Sequence, residues 1–342
     1  MSILKRVVLA TVLLGVLIGG LFVAHFYRVF FASNTAFATA TQEVLIPSEN
    51  TKVAAYDTIT QYVVSVGRFK QAALKKGYAP IPGRFVFDRG MNNNEMINRL
   101  RADNRPVKIT FNNQKTLKHL AGYMATKIEA DSVSIVQSFL DDRFLNENGF
   151  TAENVYSICL PNTYEFFWNT SADQFRKRML FEYNRFWTDE REAARKKVKL
   201  SREEVVVLAS IVQREANVLS EQKLIATVYL NRLKKRMRLQ SCPTVIYAHD
   251  ILENDYDSGI RTLLYEHLKV KSPYNTYKTR GLPPGPIFMP EIATIDAVLF
   301  PVKHNYFYFV VDPSRPGYHK YSTTFGNHLE NKDRLKKYIR NR

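Results

Sequence analysis

Few residues in this chain have the type and spacing to do chemistry, and Glu215 stands first among them. It closes the run Leu208-Ala209-Ser210-Ile211-Val212-Gln213-Arg214-Glu215. At about 100° per residue, Val205, Leu208, Val212, Glu215 and Leu219 fall on one helical stripe. A carboxyl group on an apolar face near a helix C-terminus meets two effects that disfavour its charge: desolvation and the negative end of the helix dipole. A carboxylic acid held protonated near neutral pH is what a general acid needs. The plain alternative is a structural ion pair with Arg232 or Arg238, since such pairs also perturb carboxyl groups. The residues alone favour that alternative.

Other reactive side chains are weaker candidates. Cys242 with His249 or His319 would make a Cys–His nucleophile only if they met in space, and free cysteine is usually buried and inert. Cys159 and Cys242 lie in unrelated sequence segments, so no disulfide between them is expected. The 7 histidines form no His-x-x-x-His pair, and neither a metal nor a cofactor is expected. Residues 272–277 read Ser-Pro-Tyr-Asn-Thr-Tyr and 281–286 read Gly-Leu-Pro-Pro-Gly-Pro. Proline and glycine at this density fix a loop. Uncharged amide and phenol groups on such a loop suit hydrogen bonding and stacking to a sugar; the alternative is a tight connector with Asn275 as a turn residue.

These residues need elements to hold them. Ser201 and Glu204 frame a capping box ahead of the apolar run 205–212. Ser220 is the expected N-cap of a second apolar helix, 221–233. Upstream, helical spacing covers 56–66, 68–76, 93–101, 116–130 and 132–145, and 171–197 reads as one long charged helix with a basic, solvated end. Short strands are expected at 44–47, 84–87, 107–111 and 305–311, and a basic helix closes the chain. The reading is an α+β chain: a compact α+β unit over 43–112, then a mixed helical and loop-rich domain with short strands over 113–342.

With 342 residues, the chain has room for about two domains at roughly 150 residues each. A composition 45% hydrophobic and 24% charged excludes wholesale disorder. Two cysteines exclude a disulfide scaffold or a Cys-rich zinc module. The net charge of +17 points to an acidic partner, be it nucleic acid, anionic lipid or another acidic polymer. The N-terminus narrows that choice. Lys5 and Arg6 precede an uncharged run over 7–27, long enough at about 1.5 Å per residue to cross a bilayer. A signal-peptide core is usually only about 7–15 residues long, so the run reads as an anchor, although small-residue patterns that could be cleaved follow at 36–40. Lys5 and Arg6 favour the N-terminus inside. The bulk of the chain would then lie outside the cytoplasm, and no nucleic-acid partner is expected unless 7–27 is not a membrane span.

Several of these segments carry a resemblance. The run 208–215, then Asn231-Arg232-Leu233, Met237-Arg238-Leu239-Gln240, Pro243-Thr244-Val245-Ile246-Tyr247, 272–277 and 281–286 occur in an order and spacing that resemble the endolytic murein transglycosylase family (MltG/YceG-like). The segment Tyr306-Phe307-Tyr308-Phe309-Val310, with His319 and His328, resembles that family's C-terminal pattern. Charge and hydropathy give a cytoplasmic tail (1–6), a transmembrane helix (7–27) and a linker (28–42), and the resemblance, which covers residues from 43 onward, implies a small LysM-like α+β subdomain (43–112) and a catalytic domain (113–342). It implies a single-pass protein of the inner membrane with its catalytic domain in the periplasm. Nascent peptidoglycan glycan strands would be the substrate, and penicillin-binding proteins or the elongation machinery the partners. Glu215 aligns with the family's catalytic glutamate, and Gln240, Asn275 and Tyr277 with polar residues of its substrate cleft. Three positions depart from the pattern. Gln213 stands where a second Glu is common, Cys242 where an Asp precedes Pro-Thr, and Asn162 where Leu-Pro-Asp-Thr-Tyr has its Asp.

Ordinary glycoside hydrolysis uses two carboxylates roughly 5 to 9.5 Å apart, and the partner of Glu215 is hard to find. Glu204 lies eleven residues back, about 16 Å along the axis. Glu203 and Glu221 point off the stripe, and Asp250, Asp255 and Asp257 stay open. A lytic transglycosylase avoids the problem. One carboxyl group protonates the leaving oxygen between MurNAc and GlcNAc, then takes the proton of the muramic 6-hydroxyl, which closes onto the anomeric carbon as a 1,6-anhydro end. The competing expectations are a hydrolase of the same substrate and a non-catalytic wall-binding scaffold.

Overall fold

The computed structural model describes residues 3–49, 51–256, 260 and 263–340. The fold is mixed α+β, with helices dominant and strands short. The chain divides into two compact units. One comprises Met1–Ile109, Lys127–Glu129 and Glu165–Ser171; the other Thr110–Thr126, Ala130–Tyr164 and Ala172–Arg342.

The first unit begins with α1, Ile3–Phe30, 28 residues long and apolar enough to cross a membrane. Its last residues, Val29 and Phe30, are buried in the unit's core. Strand β1 (Thr41–Ile46) is followed by α2 (Thr51–Thr60), α3 (Val66–Lys75) and β2 (Gly83–Asp88), then α4 (Asn93–Ala102). β1 and β2 pair antiparallel, with Thr41 opposite Asp88 and Ile46 opposite Gly83. Alternation along β2 buries Phe85 and Phe87, as a strand with one covered face requires. Ser65 caps α3, and a capping box of Asn92 and Glu95 starts α4. The segment expected as a linker is pinned to this unit. Asn34 is fully buried. It donates to the Ser65 carbonyl at 3.0 Å and to Asn93 Oδ1 at 2.7 Å, and accepts from the Ser65 amide at 2.8 Å.

Strand β3 (Val107–Phe111) pairs with β4 (Asn162–Phe166). Between them lie α5 (Leu117–Ala125), α6 (Ser132–Phe139) and α7 (Asp142–Asn148). The single helix expected over 132–145 is broken, because Asp141 accepts from the Phe144 amide and starts a new helix. The long helix expected over 171–197 is likewise two, α8 (Ala172–Phe186) and α9 (Asp189–Val198), with Thr188 capping the second.

Helix α10 (Arg202–Glu215) opens on the expected capping box of Ser201 and Glu204. Its residues 205–212 are all buried, so it is the central helix of the second unit rather than an amphipathic surface helix. It packs against α11 (Leu219–Lys234), α12 (Cys242–Glu253) and α13 (Ile292–Leu299). Leu219 is not on the α10 stripe, since the chain turns extended at Ala216 and Leu219 opens α11. The α11 cap is Val218 without a side-chain bond, not Ser220. Strands β5 (Tyr308–Val311) and β6 (His319–Ser322) form an antiparallel pair, and α14 (Phe325–Arg340) ends the described chain.

Candidate active site

Glu215 is the last residue of α10. Its Oε1 accepts two hydroxyl donors, Tyr229 at 2.7 Å from α11 and Ser241 Oγ at 2.5 Å from the start of α12. Among the described residues, Oε2 has no hydrogen-bond partner. Desolvation is the largest influence on this carboxyl group and raises its pKa. The two hydroxyls, then His319 and Arg232, act in the opposite direction without overcoming it. The α10 C-terminus adds its own negative end. Among the described residues, no carboxylate is one of the charged groups that act on Glu215.

The ion-pair alternative is not what the chain adopts. Arg232 is buried and donates to the carbonyls of Phe307 at 2.6 Å and Leu239 at 2.5 Å. It is held by backbone and makes no salt bridge to Glu215. Of the other carboxylates named from the sequence, Glu203, Glu204 and Glu221 are engaged elsewhere. Glu203 accepts from Tyr183 and Ser201, Glu204 closes the capping box, and Glu221 accepts from the His319 ring and Tyr321. Asp250 is buried on α12 and acts on the phenols of Tyr247 and Tyr256. Asp257 lies outside the described residues.

Ser241 is itself fixed. Its amide donates to Thr276 Oγ1 at 3.0 Å, its carbonyl accepts from Thr244 Oγ1 at 2.8 Å, and those two threonines bond each other at 2.8 Å. All three are buried. The clamp therefore ties the 272–277 loop to Glu215 through Thr276. Gln240 stands one residue before Ser241 in a left-handed conformation, φ 50°, which a non-glycine residue adopts at a cost of order 1–3 kcal/mol. Its side chain is exposed and makes no hydrogen bond among the described residues. Tyr277 is half-buried, and its hydroxyl lies 3.3 Å from Cys242 Sγ. Asn275 is fully buried. Its amide donates to the carbonyls of Leu268 and Val270, and its Oδ1 accepts from the Tyr277 amide at 3.0 Å. Every polar atom of Asn275 thus holds the loop. Gln240 and Tyr277, by contrast, stand near Glu215 with polar groups within reach of solvent.

The Cys–His pair does not form: His249 faces the His267 carbonyl and His319 faces Glu221, while Cys242 meets Tyr277. Both cysteines are free, Cys159 buried and Cys242 exposed. Among the described residues, no group of three His, Cys, Asp or Glu could hold a metal ion. Gln213 has a structural partner set instead of chemistry. Its Oε1 accepts from Thr294 Oγ1 at 2.5 Å and from the Glu291 amide at 3.2 Å, tying α10 to the start of α13. Sequence reasoning missed Tyr229, Ser241 and Thr276. The available signal was Tyr229, a phenol in an apolar helix whose hydroxyl needs a buried partner.

Comparison with known proteins bears on the same chain. A family model described as the YceG-like family matches residues 41–334. A Bacillus subtilis (strain 168) protein named endolytic murein transglycosylase is 29% identical over 245 residues, 67% of this chain and 66% of that one. A Streptococcus pneumoniae protein of the same name is 36% identical over 121 residues, 34% of this chain and 21% of that one. The match thus spans just under two thirds of the first relative's length and about a fifth of the second's. The 2.6 Å crystal structure of a yceG-like protein from Listeria monocytogenes aligns over 86% of this chain and 99% of its own, with a TM-score of 0.55 and 24% identity. That likeness establishes a shared fold.

Proposed function

This chain belongs to the YceG-like family, and from that premise we propose that it is a membrane-anchored lytic transglycosylase of peptidoglycan that cuts nascent glycan strands and so ends their elongation. The observation that carries the reading is the one-sided clamp on Glu215. Two hydroxyls donate to Oε1, so a proton on this carboxyl group belongs on Oε2, the oxygen without a partner. In the first half-reaction Oε2 gives that proton to the glycosidic oxygen between MurNAc and GlcNAc as the bond to the anomeric carbon breaks. In the second, the carboxylate takes the proton of the muramic 6-hydroxyl while its oxygen bonds to the same carbon. The proton passes from one sugar oxygen to the other, and no water enters. Desolvation favours the acid form at the start, and the two donors stabilise the carboxylate midway. Among the described residues no second carboxylate acts on Glu215, which agrees with a one-carboxylate route and disfavours hydrolysis by a carboxylate pair.

Gln240 and Tyr277 are the substrate-contacting groups in this reading, and Asn275 holds the loop that presents Tyr277. The domain limits 1–6, 7–27, 28–42, 43–112 and 113–342 belong to the same proposal, with 43–112 a LysM-like subdomain. The two helices inserted between the paired strands β1 and β2 support that assignment. Residues beyond α1 lie in the periplasm, and the partners are penicillin-binding proteins or the elongation machinery. The deciding experiment is digestion of purified peptidoglycan by wild type and Glu215→Gln, with mass spectrometry of the ends. Anhydro ends lighter by one water, lost in Glu215→Gln, are expected. Reducing ends from the wild type would mean a hydrolase, and equal activity of the two proteins would mean Glu215 is not the acid.

A further inference from the structure

A second concave surface lies on the far side of α11 from Glu215. Tyr229 reaches Glu215, whereas Thr227 and Asn231 line a groove of about 660 Å³. At about 100° per residue, each of those two lies 200° around the helix from Tyr229. The groove's other walls are the end of α9 with residues 199–200, and residues 301–305.

Four lysines meet there: Lys197, Lys199, Lys234 and Lys303. All four are exposed, and none forms an ion pair among the described residues. Among the described residues, no Asp or Glu lines the groove. Cations are favoured at helix C-termini, which accounts singly for Lys197 and Lys234. It does not account for Lys199, held just past α9 with φ 60°, or for Lys303 on a separate segment. His304 adds no charge to the set. Its Nε2 faces the Leu224 carbonyl at 3.0 Å, its Nδ1 accepts from the Tyr306 amide at 3.1 Å, and burial lowers its pKa. Between the lysines the floor is apolar, from Leu200, Leu230, Leu233 and Val302. The walls are fixed from within, since Thr227 Oγ1 donates to the Val302 carbonyl at 2.9 Å and Asn231 Nδ2 to the His304 carbonyl at 3.0 Å.

From this arrangement we infer that the groove is a binding site for a phosphate-bearing amphiphile. Four uncompensated lysines repel one another and gain from a multiply charged anion placed among them, for which lysine acts as a point charge. The apolar floor selects an anion that carries hydrocarbon. A simple phosphate would leave that floor wet, and a neutral lipid would leave the lysines without a partner. The site is separate from the acid and does not depend on the glycan chemistry proposed for Glu215.

The test uses the full chain in zwitterionic nanodiscs, titrated calorimetrically with dihexanoyl phosphatidic acid, dihexanoyl phosphatidylcholine and inorganic pyrophosphate. Wild type should bind the phosphatidic acid at least tenfold more tightly than either other probe, and raised salt should weaken it. Exchanging all four lysines for Gln should reduce that affinity at least tenfold while the protein stays folded, because none of them is paired. Leu230→Ser should weaken the phosphatidic acid and leave pyrophosphate unaffected. Equal binding by wild type and the lysine variant would overturn the site. Pyrophosphate as tight as phosphatidic acid would overturn the amphiphile and leave a free-phosphate site.

Discussion

The Ser241 hydroxyl donates to Glu215 and stabilises its carboxylate. Ser241→Ala should therefore raise the Glu215 pKa further and move the high-pH limb of the rate profile upward. A hydrogen bond to a charged group is worth about 1.5–3 kcal/mol, so the step that forms the carboxylate should slow by roughly ten- to a hundredfold. A limb that moved downward would mean that Ser241 does not donate to the acid. Glu215→Gln tests both chemistry and stability. The folded pKa of Glu215 is raised, so the cost of ionising it is absent at low pH, where both states hold the proton. The cost grows as pH rises from the unfolded pKa through the folded one. Gln keeps the acceptor for Tyr229 and Ser241 but cannot ionise. The variant should lose cleavage by at least about 10²-fold and melt no lower than wild type at neutral pH. A variant that melts lower and still cleaves would identify Glu215 as a structural group. Cys242 offers an independent probe of the same place. A bulky maleimide should label one thiol per chain, since Cys159 is buried, and should block cleavage by crowding Tyr277. Full activity after complete labelling would put the substrate elsewhere.

At the scale of elements, what the sequence revealed follows from how local the cause is. The Ser201–Glu204 capping box is a contact three residues long, and it formed as read. Helix interruptions at Asp141 and Thr188 are equally local, yet continuous helical periodicity on both sides hid those caps. Strands β4 and β6 escaped because each is short and exists only through pairing with a distant partner. Glu215 was legible as a carboxyl group at the end of an apolar run, although the residues alone favoured an ion pair for it. Its clamp was not, because Tyr229 and Ser241 reach it across 14 and 26 residues of sequence. Loop geometry yields a prediction at this scale. A Cβ on Gly285 would stand 1.9 Å from the Glu153 carbonyl oxygen, a contact that backbone must relieve by moving. Ile287 of the same loop is tied to α10 by its amide bond to Ser210 Oγ at 3.0 Å. Gly285→Ala should therefore lower the melting temperature and cleavage together, whereas Gly122→Ala, inside α5 with open space at its Cβ, should keep cleavage and hold or raise the melting temperature. An undisturbed Gly285→Ala protein would show that the 281–286 loop does not support the site.

The whole molecule turns on whether α1 is kept. From Val7 to Leu21 its large apolar side chains are more than half exposed, a surface that an aqueous protein rarely leaves uncovered and that a bilayer would cover. A signal sequence would show the same apolar run, so the discriminating residues are those just after it. Val29 and Phe30 are buried in the first unit's core. Asn93 Nδ2 donates to the Val29 carbonyl at 2.6 Å, and the Val64 amide to the Asn34 carbonyl at 2.9 Å. Cleavage after the small residues at 36–40 would remove all of these. Two buried apolar side chains contribute about 1.5–3 kcal/mol each, and Asn93 and Ser65 would lose buried partners, each at roughly 1–3 kcal/mol. That is a large share of the roughly 5–15 kcal/mol that stabilises a domain. A truncated chain beginning at Thr41 should therefore melt well below one beginning at Arg28, or fail to fold its first unit. The protein purified from membranes should carry α1 by mass, and a periplasm-dependent reporter after Arg342 should be active. A Thr41 chain as stable as the Arg28 chain would restore the cleaved-signal reading, because only then could the segment leave without cost to the fold.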